Sequence, residues 1–251
     1  MTKWSIVPAM REPGKPHPAP EAPWSLITAV IGAMSVFTLT LGLSYPLLSL
    51  ILENLGTPKV LIGLNAAMTP LGIIVSSPFI PRLALKKGSW KFAMVCLLAG
   101  LFLFTLIGTT RRIELWFPLR FFLGVFINGL FIVSETWINQ LSYAAVRGRV
   151  MGIYATIMSL GFCVGPFLLP FTGFDGWPPF LVGIACFIMA GLVMLPLRRH
   201  LPEIEKASHG SVYSFMALAP VLLMAVFGAA YFDQIVLSFL PLYALYAGLS
   251  Q

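Results

Sequence analysis

Seven apolar stretches follow one another along the chain, with only short polar connectors between them. They occupy about residues 25–49, 60–82, 92–110, 115–138, 150–171, 177–197 and 214–240. Each is long enough to cross the hydrocarbon layer as a helix. Lipid offers no hydrogen bonds, so each span must satisfy its backbone internally. The expected fold class is therefore an all-α membrane protein. Composition supports this, because 58% hydrophobic against 10% charged residues leaves a soluble domain too little polar surface. The first stretch is too long for a signal-peptide core and lacks a small-residue cleavage site, so it reads as a retained first helix.

The cations fall between the spans, in alternate connectors. Lys3, Arg11, Lys15, Arg82, Lys86, Lys87, Lys91, Arg147, Arg149, Arg198, Arg199 and Lys206 lie on one side, against Lys59, Arg111 and Arg112 on the other. Excess Lys and Arg marks the cytoplasmic face, so the expected location is the plasma (inner) membrane, with the N-terminus in the cytoplasm. The net charge of +7 is thus a topology signal, and no nucleic-acid partner is expected. Cys96, Cys163 and Cys186 lie in apolar stretches without CxxC spacing, which points to packing thiols, with no metal and no cofactor.

Residues 1–24 are polar and rich in proline and read as a disordered cytoplasmic tail. A six-helix transmembrane half is expected over 25–197, then a cytoplasmic linker over 198–213. The first and seventh spans share a pattern. Gly42-Leu43-Ser44-Tyr45-Pro46-Leu47-Leu48-Ser49-Leu50 compares with Val236-Leu237-Ser238-Phe239-Leu240-Pro241-Leu242-Tyr243-Ala244-Leu245, each after an earlier glycine, Gly32 or Gly228. On that reading six helices form one repeat, and residues 214–251 begin an incomplete second one. The chain is then expected to be truncated and to need its missing C-terminal half or a second copy.

The fourth span carries the chemistry. Arg120 and Glu135 stand in an otherwise apolar run, and a charge at that depth costs about 2.5–3.5 kcal/mol on insertion scales. Such residues need a partner or a task. At about 100° and 1.5 Å per residue, Gly124, Asn128, Phe131, Glu135 and Asn139 share one stripe, with Arg120 at its edge roughly 22 Å from Glu135. The two charges cannot pair within the helix. Glu135 could take up and release a proton, or could be satisfied by a neighbouring helix. Asp233 and Gln234 form the polar spot of the seventh span, and Asp233 is a second proton candidate or a partner for Arg120 across the bundle. Asn128, Trp137, Asn139 and Gln234 are candidate cavity contacts.

Small residues mark close helix approaches. Arg120 with Gly124 and Asn128-Gly129 is one such face, and Gly161 to Gly165 is another, with Pro166 adding a kink. Arg147-Gly148-Arg149 follows the fourth span as a basic turn, and Arg82, Lys86, Lys87 and Gly88 lie in the second-to-third connector.

In order and spacing these segments resemble the major facilitator superfamily of secondary transporters. The run from Arg120 to Gly129 resembles that family's fourth-helix motif. Arg147-Gly148-Arg149 is similar to its Arg-Gly-Arg turn, and Gly161 to Pro166 to its fifth-helix Gly-Pro motif, with Phe167-Leu168 in place of a second glycine pair. Glu135 to Asn139 looks like a bacterial branch of the family. The resemblance covers about residues 25–250. It implies a six-helix N-terminal bundle plus a seventh helix, alternating access around a midplane site, and a small-molecule substrate moved with protons through the bilayer. In the family, an acid in the second-to-third loop helps latch the inward gate. Here Leu85 stands in its place, and Arg82, Lys86 and Lys87 are expected to hold helix ends or lipid phosphates instead.

Other classes fit less well. A retinal receptor needs a lysine in its last span, which offers Asp233 but no lysine. A membrane enzyme is not expected, since no His-Glu-x-x-His or Gly-x-Ser-x-Gly occurs and His17, His200 and His209 lie in polar segments. Nothing resembles a selectivity filter. The remaining alternatives are a non-transport seven-helix protein and an inactive half-transporter fragment.

Overall fold

A computed structural model describes residues 23–110, 112–174, 176–204 and 220–246. Residues 1–22 of the expected tail and most of the expected linker lie outside these residues, and Trp24, the last residue of that tail, already belongs to the first helix. The helices are α1 (Trp24–Asn54), α2 (Lys59–Ser76), α3 (Ile80–Lys87), α4 (Ser89–Thr109), α5 (Ile113–Leu141), α6 (Ala144–Val164), α7 (Leu169–Thr172), α8 (Pro178–Met194) and α9 (Pro220–Tyr246). No strand occurs among the described residues. Six segments are long and apolar enough to span a membrane: α1, α2, α4, α5, the run Ala144–Thr172, and Pro178–Arg199. The apolar helix α9 follows them.

Two boundaries differ from the sequence expectation. The second span is not continuous over 60–82: α2 stops at Ser76, a turn intervenes, and the short amphipathic helix α3 begins at Ile80. Pro78 lies inside this break and Pro81 in the first turn of α3, and each lacks the N–H that a continuous helix would donate there. The segment 147–149 is not a turn either. It lies in the first two turns of α6, which starts at Ala144 after the extended pair Ser142 and Tyr143. Arg147 Nη2 donates to the Ser142 carbonyl at 3.3 Å, so it holds the helix start to the end of α5. At Pro166 the helix does give way, to a 3-10 turn over Gly165–Leu168.

Helix α1 is the axis of the bundle. From Phe37 to Leu50 almost every residue is buried, as expected for a helix that is apolar all round and surrounded by others. It packs against α6, α8 and α9, while α5 packs against α2 and α4. Phe37, Phe104, Phe131, Phe180 and Phe187 interlock four helices, with ring centroids 5.4–5.9 Å apart. Lipid is as apolar as these side chains, so hydrophobic transfer cannot hold the helices together. Close packing and buried polar contacts must do so.

Two parallel helix pairs meet almost backbone to backbone. A Cβ built at Gly124 of α5 would collide with the Thr69 carbonyl of α2, and one at Gly72 of α2 with the Phe121 carbonyl of α5. In the α1–α6 pair, Gly42 abuts the Phe162 backbone, while Gly161 and Gly165 abut α1 around Ser35, Thr38 and Gly42. Glycine is required at these positions because a side chain would separate the helices. The sequence expectation for Gly124, Gly161 and Gly165 thus acquires named partners.

Candidate functional site: the α2–α5 seam and the basic end of the bundle

Helices α2 and α5 run in the same direction, with a constant offset of 55 residues. Asn65 meets Arg120, Thr69 meets Gly124, and Ile73 meets Asn128. Four-residue steps on both helices keep these pairs on one line. The polar groups of α5 are therefore matched one by one to groups of α2.

Arg120 is only 2% exposed. Its Nη1 donates to Asn65 Oδ1 at 3.0 Å, and its guanidinium lies over the Tyr45 ring of α1 at 6.0 Å. Among the described residues no carboxylate pairs with it. Arg120 Nε and Asn65 Nδ2 are both buried without a hydrogen-bond partner there. Leu41, Ser44, Tyr45, Leu48, Thr69, Leu123 and Ile127 close around the guanidinium, leaving a crevice too narrow for a water molecule. This is an incompletely satisfied cation at bilayer depth, which is costly unless something can answer it.

Asn128 is held by the end of α2. Its Nδ2 lies 3.0 Å from the Ile73 carbonyl and from the hydroxyls of Ser76 and Ser77. It serves the seam. Glu135, two turns further on, is exposed. Asn139 donates from its side chain to the Glu135 carbonyl at 3.0 Å, and Tyr154 of α6, bonded to Ser134 at 3.3 Å, lies within electrostatic reach of the Glu135 carboxylate. The fourth-span stripe therefore divides: Gly124 and Asn128 are sealed against α2, Phe131 packs on Phe37 of α1, and Glu135 is exposed with Asn139 half-buried beside it.

Trp137 is fully buried and lies away from the open stripe. Its indole N–H sits between Ser89 Oγ at 3.2 Å and the Pro202 carbonyl at 3.1 Å. Asp233 and Gln234 belong to α9, but their side chains lie outside the described residues. Arg82, Lys86, Lys87, Arg147, Gly148 and Arg149 are all exposed at one end of the bundle, and Leu85 is exposed among them. Gly88 has φ +82°, a conformation that glycine adopts freely, and it turns the chain directly into α4. At the other end of the bundle a cavity of about 260 Å³ is lined by Asn54, Thr110, Trp116, Phe174, Trp177 and Phe180 among others. None of the sequence candidates lines it. Among the described residues no cluster of His, Cys, Asp and Glu could hold a metal.

The family model of the Major Facilitator Superfamily matches residues 28–251. The chain belongs to this superfamily. It is similar to the uncharacterized MFS-type transporter YfkF of Bacillus subtilis (strain 168), with 28% identity over 225 residues, or 86% of this chain and 57% of that protein. The chain thus spans little more than half the length of that relative. Membership of the superfamily, with six apolar spanning helices, makes it a multi-pass membrane protein.

Within this superfamily member, sequence reasoning missed two residues that the fold makes important. Asn65 of α2 is the direct partner of Arg120, and an asparagine in an apolar span was the available signal. Glu203, just after the sixth span, accepts a hydrogen bond from the Ser89 backbone N–H through Oε2 at 2.9 Å. An acid directly after Pro202, behind the basic run of 198–200, was the signal there.

Proposed function

We propose that the chain forms the N-terminal half of a proton-coupled secondary transporter that moves a small molecule by alternating access. The observation that carries this reading is the divided stripe of α5. A buried, under-satisfied Arg120 and an open Glu135 lie on one rigid helix. In a two-half transporter the open part of such a stripe faces the second half, so a carboxylate there can meet substrate and water alternately. Its protonation then responds to which side the cavity faces. Arg120 supplies the fixed positive charge, held by Asn65, and its unmatched donors are available to an acid that approaches in another state.

Asp233 is the proposed second acid. Helix α9 runs antiparallel to α2, with Phe239 against Gly63 and the Lys59 ammonium 5.3 Å from the Tyr246 ring centroid. By helix rise, the backbone of residue 233 lies about 9 Å further along α9 from Phe239, toward the depth of Thr69. Domain limits follow the sequence: tail 1–24, six-helix half 25–197, linker 198–213, and first helix of a second half from 214. The basic end is assigned to the cytoplasm of the plasma membrane by its lysines and arginines. The missing half, or a second copy of this chain, completes the cavity.

The experiment uses vesicles that contain the chain with a complementing half. Compounds are screened for collapse of an imposed pH gradient, read by the fluorescence of a ΔpH dye. For an active compound, Glu135→Gln is expected to abolish gradient-driven movement while counterflow persists. Full gradient-driven activity in Glu135→Gln refutes the proton role.

A further inference from the structure

Three elements converge at the basic end: the start of α4, the end of α5 and the exit of α8. The Glu203 carboxylate accepts from the Ser89 N–H at 2.9 Å, and its second oxygen lies beside Gly88, 3.4 Å from where a Cβ would stand. Ser89 Oγ donates to the Pro202 carbonyl at 3.1 Å, and the Trp137 indole donates to the same carbonyl at 3.1 Å. Gln140 of α5 donates to the Glu203 carbonyl at 3.4 Å. Nearby, Trp90 Nε1 donates to the Met194 carbonyl at 2.9 Å, and the Arg198 guanidinium lies 5.4 Å from the Trp90 ring centroid. Ser89 and Trp137 are fully buried, so their bonds to the Pro202 carbonyl are shielded from water, whereas Glu203 itself is exposed and reaches the Ser89 N–H from the rim.

We infer that Pro202 and Glu203 form a clasp that fastens the inter-half connector to the α4–α5 corner, with Glu203 as its positioning residue. The chemistry is a carboxylate on a helix N-terminus. The first N–H groups of α4 have no partner inside the helix, and the helix dipole favours an anion there. A Cβ at Gly88 would meet the carboxylate in ordinary van der Waals contact, so it is the φ of +82°, not space, that calls for glycine at this turn. The loop of residues 85–91 has no acid of its own, because Leu85 occupies that place. The needed carboxylate arrives instead from a residue 114 positions later. As a consequence α4, α5 and the exit of α8 move as one body. The tether to the next helix is anchored at Glu203, beyond the end of α8, so rocking between halves pulls directly on the helix that carries Arg120 and Glu135.

The test does not depend on transport, so it can fail while the transporter reading stands, and the reverse. Ile204 packs against the core immediately after the clasp. In the full 251-residue chain in nanodiscs, Ile204→Cys is labelled with a polar maleimide, with the unmodified chain giving the background from the native cysteines. A second reporter, Ala145→Cys, sits exposed at the same end and outside the clasp. Glu203→Ala is expected to raise the rate at residue 204 about tenfold or more, because a charge-assisted bond to the start of α4 is lost. Glu203→Gln, whose amide oxygen can still accept from Ser89, is expected to retain most of the protection. The rate at residue 145 should stay constant. If Glu203→Ala fails to accumulate, Trp137→Phe decides, since it keeps the aromatic packing and removes only the N–H donated to Pro202. Unchanged labelling at 204 overturns the clasp, as does a parallel rise at both reporters.

Discussion

Replacing Gly124 with alanine should destabilise the bundle, although alanine is the better helix former. The Cβ would fall inside hard contact with the Thr69 carbonyl, and neither group can rotate away because both belong to backbones of regular helices. Helices α2 and α5 must therefore separate. Overpacking of this kind costs about 1–3 kcal/mol. Separation also stretches the bonds on either side of the contact, Asn65 to Arg120 and Asn128 to Ser76, each 3.0 Å long. Interhelical hydrogen bonds in membranes contribute about 0.6 kcal/mol each on average, so the expected total is about 2–4 kcal/mol. Gly152→Ala is the control: it lies exposed within α6 with nothing near its Cβ position, so it removes glycine's backbone entropy without a clash. It should be neutral or stabilising by about 0.5–1 kcal/mol. The assay is unfolding of the two variants side by side in the same mild detergent, followed by tryptophan fluorescence. Equal stability of Gly124→Ala and Gly152→Ala would refute the backbone contact and, with it, the one-to-one matching of α2 and α5.

Other consequences can be tested more briefly. Asn65→Ala removes the one side-chain acceptor bonded to Arg120 Nη1 and should destabilise by about 1–3 kcal/mol, measured by the same unfolding assay. Asn65→Ala combined with Arg120→Leu should recover much of that loss, and strictly additive losses would contradict a direct pair. Among the native cysteines, Cys163 is exposed and Cys96 is buried, so a maleimide in detergent should modify Cys163 first and Cys96 only on unfolding, as read by mass spectrometry.

The sequence marks small residues on helix faces but does not say which helices they meet. Gly124 and Gly161 announce close approach because lipid-embedded helices associate through small residues, yet spacing along one helix cannot name the partner. That partner was α2 for Gly124 and α1 for Gly161. Asn128 shows the same limit. A polar residue in an apolar span reads equally well as a cavity group or a packing group, and only the position of Ser76 and Ser77 selects packing. Trp137 is a candidate cavity aromatic in the sequence, but it lies two helical positions from Glu135, a 200° turn that carries it to the opposite face and into the α4 corner.

The amino-acid sequence by itself determined the class of protein. Apolar length and the absence of backbone partners in lipid leave only spanning helices, and charges in the connectors give their number and expected sense. The motifs in the fourth and fifth spans, read in order, were enough to place the superfamily. Tertiary structure decided which charges are sealed and which are open. Arg120 and Glu135 are equally expensive in the sequence, but one is enclosed by Asn65 and Tyr45 while the other stands exposed two turns beyond the α2 seam. It also decided that the carboxylate at the start of α4 comes from Glu203. The physical reason is that a helix fixes its own faces through local geometry, whereas the partner of each face depends on contacts between residues far apart in the chain.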